Sequence, residues 1–294
     1  MQFFSLILAI TLVAAAPVEH LKRADGPSDT DILQYALTLE HLENAFYSGA
    51  LSKFDAAAFE SAGYPSWVRG RFQQIADHEA THVKFLSTAL GDIATKPCEY
   101  SFPYTDPKSF TALAGVLEGV GTGAYLGAAK FITNKDYLTA AAAVLTTETR
   151  HTAWVKSAVM KDAAWSGAFD TPLGLNQVYS LAAPFFVSCP ESNPTLPVKA
   201  FPALTTSAMP MPGQSVTFTF NSTQTDGLFA AFFSGLDTTF APLDGYKTAT
   251  IPENLVGTVY VVISSNGTMV SDDSTVAGPA ILEFRLPEMA RQTD

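Results

Sequence analysis

From residue 28 to about residue 165 the apolar positions recur at helical spacing. Ile32, Tyr35, Ala36, Leu39, Leu42 and Phe46 define one buried stripe. It predicts a helix over residues 30–48, capped by Ser28 or Asp29 and ended by Gly49. A second helix is expected over residues 66–90, after Pro65 and before Gly91, with Trp67, Phe72, Ile75, Val83, Leu86 and Leu90 on its buried face. A third runs over 107–132 and a fourth from Asn134 or Lys135 to about Met160. Four long amphipathic helices predict a four-helix bundle. The third carries Gly115, Gly119, Gly123 and Gly127, each four apart, a row that lets a neighbouring backbone come close or else leaves the helix flexible.

The pattern changes after residue 165. Residues 174–187 predict a short helix closed by Pro184, and a proline-rich stretch follows from Cys189 to Pro202. Strand-like runs then occupy 215–221, 228–234, 248–251, 258–264 and 280–286, separated by turn pairs such as Asp226-Gly227 and Asn266-Gly267. This predicts a small antiparallel β-sandwich. The fold expected is therefore α plus β in two domains: a bundle over residues 24–190 and a β-sandwich over residues 191–294.

Residues 1–16 are an apolar run ending in small residues, which reads as a secretory signal. The dibasic pair Lys22-Arg23 predicts processing, so residues 1–23 are read as signal peptide and pro-segment and the protein as secreted, extracellular or in the cell wall. The net charge of −11 argues against nucleic acid and anionic membranes as partners. Two cysteines, Cys98 and Cys189, form one disulfide in an oxidising compartment, or stand as two buried thiols. Asn221 and Asn266 head glycosylation sequons.

The chemistry is on the helices. His41, His78, His82 and His151 each lie within four residues of a glutamate. Glu79-x-x-His82 and Glu148-x-x-His151 each put a carboxylate and an imidazole on one helix face, and the two motifs fall on alternate helices. A two-metal bundle takes one further glutamate from each remaining helix, and these offer Glu40 and Glu118. Tyr47 and Tyr125 follow those glutamates by seven residues, two turns along the same stripe, where a phenol can bond a ligand on the partner helix. Four glutamates bring a charge of about −4 and two protonated imidazoles about +2, so two divalent cations balance the cluster. A polar network without metal is the alternative. His41 follows Glu40 by one position and points elsewhere.

At these residues the chain resembles the ferritin-like superfamily of di-metal carboxylate proteins. LTLEHLENAFY (37–47) and DHEATHVKFL (77–86) resemble its secreted fungal branch, whose members are named for stress response and late sexual development. The resemblance covers residues 28–190 and extends to the β-rich tail. It implies a central two-metal site in which Glu40, Glu79, His82, Glu118, Glu148 and His151 match the ligand motif one by one. Glu43 and His78 are additions beside that set, and Gly121 stands at the place on the third helix that matches Glu43. Nitrogen and oxygen donors suit iron or manganese, and zinc as well. The implied chemistry is oxidase or ferroxidase reaction with O2 or peroxide. The rival reading is a non-enzymatic secreted scaffold whose β-module binds cell-wall glycan, with Phe229, Phe232, Phe233 and Tyr246 as sugar platforms unless they are core.

Overall fold

The computed structural model describes residues 26–284, apart from 208, 209, 225 and 246. The signal and pro-segment reading and the Tyr246 platform fall outside the described residues.

Helix α1 spans Asp29–Lys53, α2 Ala56–Ser61, α3 Trp67–Leu90, α4 Pro107–Ala128, α5 Lys135–Trp154 and α6 Leu175–Ala182. The caps are those the sequence suggests. The Ser28 hydroxyl accepts from the Asp31 amide, and the Asn134 side chain accepts from Asp136 and Tyr137. Gly91, at φ 60°, closes α3. Gly49 does not end α1, which continues to Lys53. Its bare Cα instead admits the Tyr104 hydroxyl, which would lie 3.0 Å from a Cβ there. After Trp154, α5 widens into a π-turn over Val155–Val159.

The long helices pack as two pairs, α1 with α3 and α4 with α5. At one end of the bundle Phe46, Phe72 and Phe110 form a dense aromatic core with Tyr47. Two elements that the periodicity does not reveal tie the chain down. Strands β1 (Glu99–Tyr100) and β2 (Phe186–Ser188) pair antiparallel, and Cys98 is bonded to Cys189 beside them. Trp67 departs from the expected buried face of α3 and is 48% exposed.

The C-terminal half holds β3 (Leu204–Thr206), β4 (Ser215–Phe220), β5 (Phe229–Ser234), β6 (Asp237–Pro242), β7 (Thr248–Thr250), β8 (Gly257–Ser264) and β9 (Thr275–Phe284). They form two antiparallel sheets, β3-β4-β7 and β6-β5-β8-β9. Val216 and Phe218 from the first meet Phe232, Val259 and Val261 from the second in a shared core, which makes this a β-sandwich. Phe232 is therefore core, and Phe229 packs on Gly267. The glycine row does mediate close packing, but not between bundle helices alone. Gly123 and Gly127 lie under the segment around Leu173, and the Tyr260 hydroxyl of β8 donates to the Gly119 carbonyl. Lys156 adds an ion pair to Glu283 at 2.9 Å. No helix among the described residues is long and apolar enough to cross a membrane.

Candidate metal centre

Each long helix presents its acids inward because one turn and two turns repeat nearly the same direction. Helix α1 supplies Glu40, Glu43 and Tyr47; α3 supplies His78, Glu79 and His82; α4 supplies Glu118 and Tyr125; α5 supplies Glu148 and His151. Glu40, Glu79 and Glu148 are fully buried, and Glu118 and His151 nearly so.

The cluster has an approximate twofold plan. His82 Nδ1 lies 3.2 Å from Glu40 Oε2 and 3.2 Å from Glu79 Oε2. His151 Nδ1 lies 3.2 Å from Glu118 Oε2 and 3.3 Å from Glu79 Oε1. The phenols cross between the helix pairs: Tyr47 donates to Glu118 and Tyr125 donates to Glu40. His78 stacks on His151, with Nδ1 and Nε2 2.9 Å apart. His41 instead faces the Thr95 carbonyl, away from the acids. Glu43 is buried beside the cluster and has no hydrogen-bond partner among the described residues.

Burial raises every carboxyl of the cluster, and in all but Glu79 it prevails. Glu40 is pushed up to about 7, and Glu43, Glu118 and Glu148 also rise. For Glu79 burial acts the same way, but hydrogen bonds from His151 and His82 outweigh it and hold the group at about 2. Burial lowers both imidazoles, yet their carboxylate partners lift His82 to about 10 and His151 to about 9. Without cations the arrangement favours charged imidazoles held by Glu79 and pushes the other acids towards their protonated forms.

The donor set fits a pair of cations. Two overlapping groups, Glu40–Glu79–His82–Glu148 and Glu79–Glu118–Glu148–His151, each place their ligand atoms within 4.8 Å of one another. Glu79 and Glu148 belong to both. Glu79 Oε1 and both oxygens of Glu148 are buried without a well-formed hydrogen bond among the described residues; His151 Nδ1 stands 3.3 Å from Glu79 Oε1 and His82 Nδ1 3.4 Å from Glu148 Oε1, and no polar group satisfies Glu148 Oε2. Orphaned buried oxygens of this kind call for a partner such as an ion.

Residues 28–161 match the family model described as a ferritin-like domain. Over these residues the helical half is similar to a ferritin-like domain. Protein rds1 of the fission yeast Schizosaccharomyces pombe is 30% identical over 181 residues, which are 60% of this chain and 44% of that protein. The chain therefore spans less than half the length of that relative.

Sequence periodicity does not single out the solvent-open cleft beside the ferritin-like centre. Trp67, Arg71, Gln74 and Trp154 line it, and it reaches His78 and His151. Trp67 and Ile75 sit on the apolar stripe of α3 and read as core, while Arg71, Gln74 and Trp154 carry no periodic signal, so the sequence does not mark a cleft here.

Proposed function

We propose that the ferritin-like domain holds two divalent cations, iron or manganese, and uses them for oxidase or ferroxidase chemistry with O2 or peroxide as acceptor. Glu79 and Glu148 would be shared, with Glu40 and His82 on one side and Glu118 and His151 on the other. The observation that carries this reading is the pair of overlapping ligand groups that share Glu79 and Glu148, with the oxygens of Glu148 buried and without a well-formed hydrogen bond among the described residues. Bound there, the pair would supply one-electron redox steps for oxidising Fe2+ or a small organic substrate. The chain's own residues orient and shield. Tyr47 and Tyr125 fix Glu118 and Glu40 by donating to them. His78 holds the outer nitrogen of His151 at the cleft and can pass a proton there. The aromatic core beneath Tyr47 keeps water from that end.

We also read residues 1–23 as a secretory signal and pro-segment, with the mature protein acting outside the cell or in its wall. The Cys98–Cys189 bond supports an oxidising location.

The test is metal content of the purified full chain after loading with Fe2+ or Mn2+. Two equivalents are expected, lost in a Glu79→Ala, Glu148→Ala variant that keeps its helical signal. A wild-type protein that takes up neither ion would remove the proposal and leave a scaffold.

A further inference from the structure

Between α3 and α5 the surface opens into a cleft of about 480 Å3, within the roughly 300–1,000 Å3 usual for small-molecule sites. Along α3 its wall is Trp67, Arg71, Gln74 and Ile75, which follow one another at single helical turns. The rings of His78 and His151 stack at one end. At the other, the indoles of Trp67 and Trp154 meet edge to face with their centroids 6.2 Å apart.

The chemistry of this lining is one-sided. Apart from the two imidazoles, Arg71 is its only ionisable side chain, and no carboxylate is among its residues. Arg71 spends one N–H on Gln74 Oε1, at 2.8 Å. The guanidinium has further N–H groups to donate, and Gln74 keeps its amide NH2. The cleft thus offers donors and a positive charge beside two indoles. It suits neither a cation, which needs oxygen ligands, nor a sugar, whose hydroxyls need acceptors as well as donors. Trp67 leaves 48% of its surface to solvent, apolar area that a second aromatic ring can cover.

We infer that this cleft binds a small aromatic carboxylate, such as cinnamate, with its ring against Trp67 and Trp154 and its carboxylate on Arg71 and Gln74. A single guanidinium matches a single carboxylate and can grip it with two parallel hydrogen bonds. A phosphate dianion would leave charge uncompensated in a chain of net charge −11. A molecule seated there also covers the solvent side of the His78–His151 pair. The inference goes beyond the metal reading and does not rest on it, because Arg71, Gln74 and the tryptophans are not among the proposed ligands.

Cinnamate, cinnamyl alcohol, hexanoate, adenosine monophosphate and cellotriose, each titrated by calorimetry into the full chain with and without loaded Mn2+, test it. Saturable binding of one cinnamate per chain is expected without Mn2+. Cinnamyl alcohol lacks the charge and hexanoate the ring, and each should bind about tenfold more weakly or worse. Arg71→Gln should weaken cinnamate about tenfold and leave cinnamyl alcohol unchanged, and Arg71→Lys should recover part of that loss. Trp67→Ala should reduce cinnamate to the level of hexanoate. Both side chains are exposed, so an unchanged helical signal is expected of all three variants. No saturable cinnamate binding, or no effect of Arg71→Gln, overturns the inference. So does tighter binding of adenosine monophosphate or cellotriose, which would make the cleft a phosphate or a sugar site. Binding of cinnamate only with Mn2+ present would put its carboxylate on the cations and overturn it as well. A wild-type dimer that Trp67→Ala converts to monomer would make a second copy the occupant, with the same result. Cation uptake without cinnamate binding sinks this inference alone. Cinnamate binding without cation uptake leaves it standing and sinks the metal reading.

Discussion

Tyr125 on α4 donates its hydroxyl to Glu40 on α1 at 2.5 Å, across the gap between the two helix pairs. Its counterpart Tyr47 on α1 donates to Glu118 on α4. Each phenol therefore orients an acid that its own helix does not carry. Tyr125→Phe should weaken cation binding about 10–100-fold, the usual loss when a ligand's supporting hydrogen bond is removed. Competition with a chelator, read as metal retained, measures this.

Glu148 and Glu79 should respond in opposite directions when cations are absent. Glu148 is fully buried and its oxygens lack a well-formed hydrogen bond, so Glu148→Gln removes none and leaves the metal-free protein no less stable. Glu79 anchors both imidazoles, so Glu79→Gln should cost about 1–3 kcal/mol. Both should lose cation binding. Thermal unfolding with and without metal separates the two effects.

The metal-free protein should be most stable near pH 5. Burial raises Glu40 from 4.5 to about 7, so between those values the folded chain holds a proton that the unfolded chain has released. His82 and His151 extend the same imbalance from 6.5 up to about 10 and about 9. Stability must then fall as pH rises through this range. Glu79 has the opposite sign: held at about 2, it adds stability above 4.5 that is lost on acidification. Cations compete with these protons, so the loaded protein should grow more stable towards pH 8. Unfolding midpoints from pH 4 to 9, with and without Mn2+, would show the crossing slopes; a flat metal-free profile would contradict the titration.

Cys98 and Cys189 are 91 residues apart, and their bond closes a loop that contains α4, α5 and α6. Chain entropy for a loop of that size is worth about 4–5 kcal/mol. Replacing both cysteines by alanine should lower stability by an amount of that order in a denaturant titration.

Gly127→Ala should be the most costly of the glycine-row substitutions. A Cβ there would lie 1.9 Å from the Leu173 carbonyl oxygen, which is backbone and cannot step aside. At Gly115 the nearest atom is Met160 Sδ at 3.1 Å, the flexible end of a side chain. A loss of about 1–3 kcal/mol or more is expected for Gly127→Ala, and a smaller one for Gly115→Ala. Comparing their unfolding midpoints checks the order.

Much of the bundle and its acid cluster is legible because both obey the helical period. Glu40 with Tyr47 and Glu79 with His82 share stripes that local geometry alone can place. Ser28 and Asn134 are legible as caps for the same reason. Gly49 is not legible, because its role is to admit Tyr104 from a distant segment. The glycine row betrays close packing but not its partner, since Leu173 and Tyr260 come from later in the chain. Strand β6 is hidden as a largely exposed strand at the end of its sheet, whose sequence DTTFAP does not alternate apolar with polar. Glu43 is visible as an extra acid, but its closeness to Gly121 exists only where the helix pairs meet.

The exchanged phenols have a consequence for the whole helical half. Neither hairpin is self-sufficient: separated, each would bury a glutamate with no tyrosine to cap it. The interior behaves as two interlocked copies of one module, and the match fails where Glu43 on one copy faces the bare Gly121 on the other, and where His78 backs His151 while Thr147 stands at the matching place before Glu148. That broken symmetry gives the centre a front and a back, so its two halves cannot behave identically.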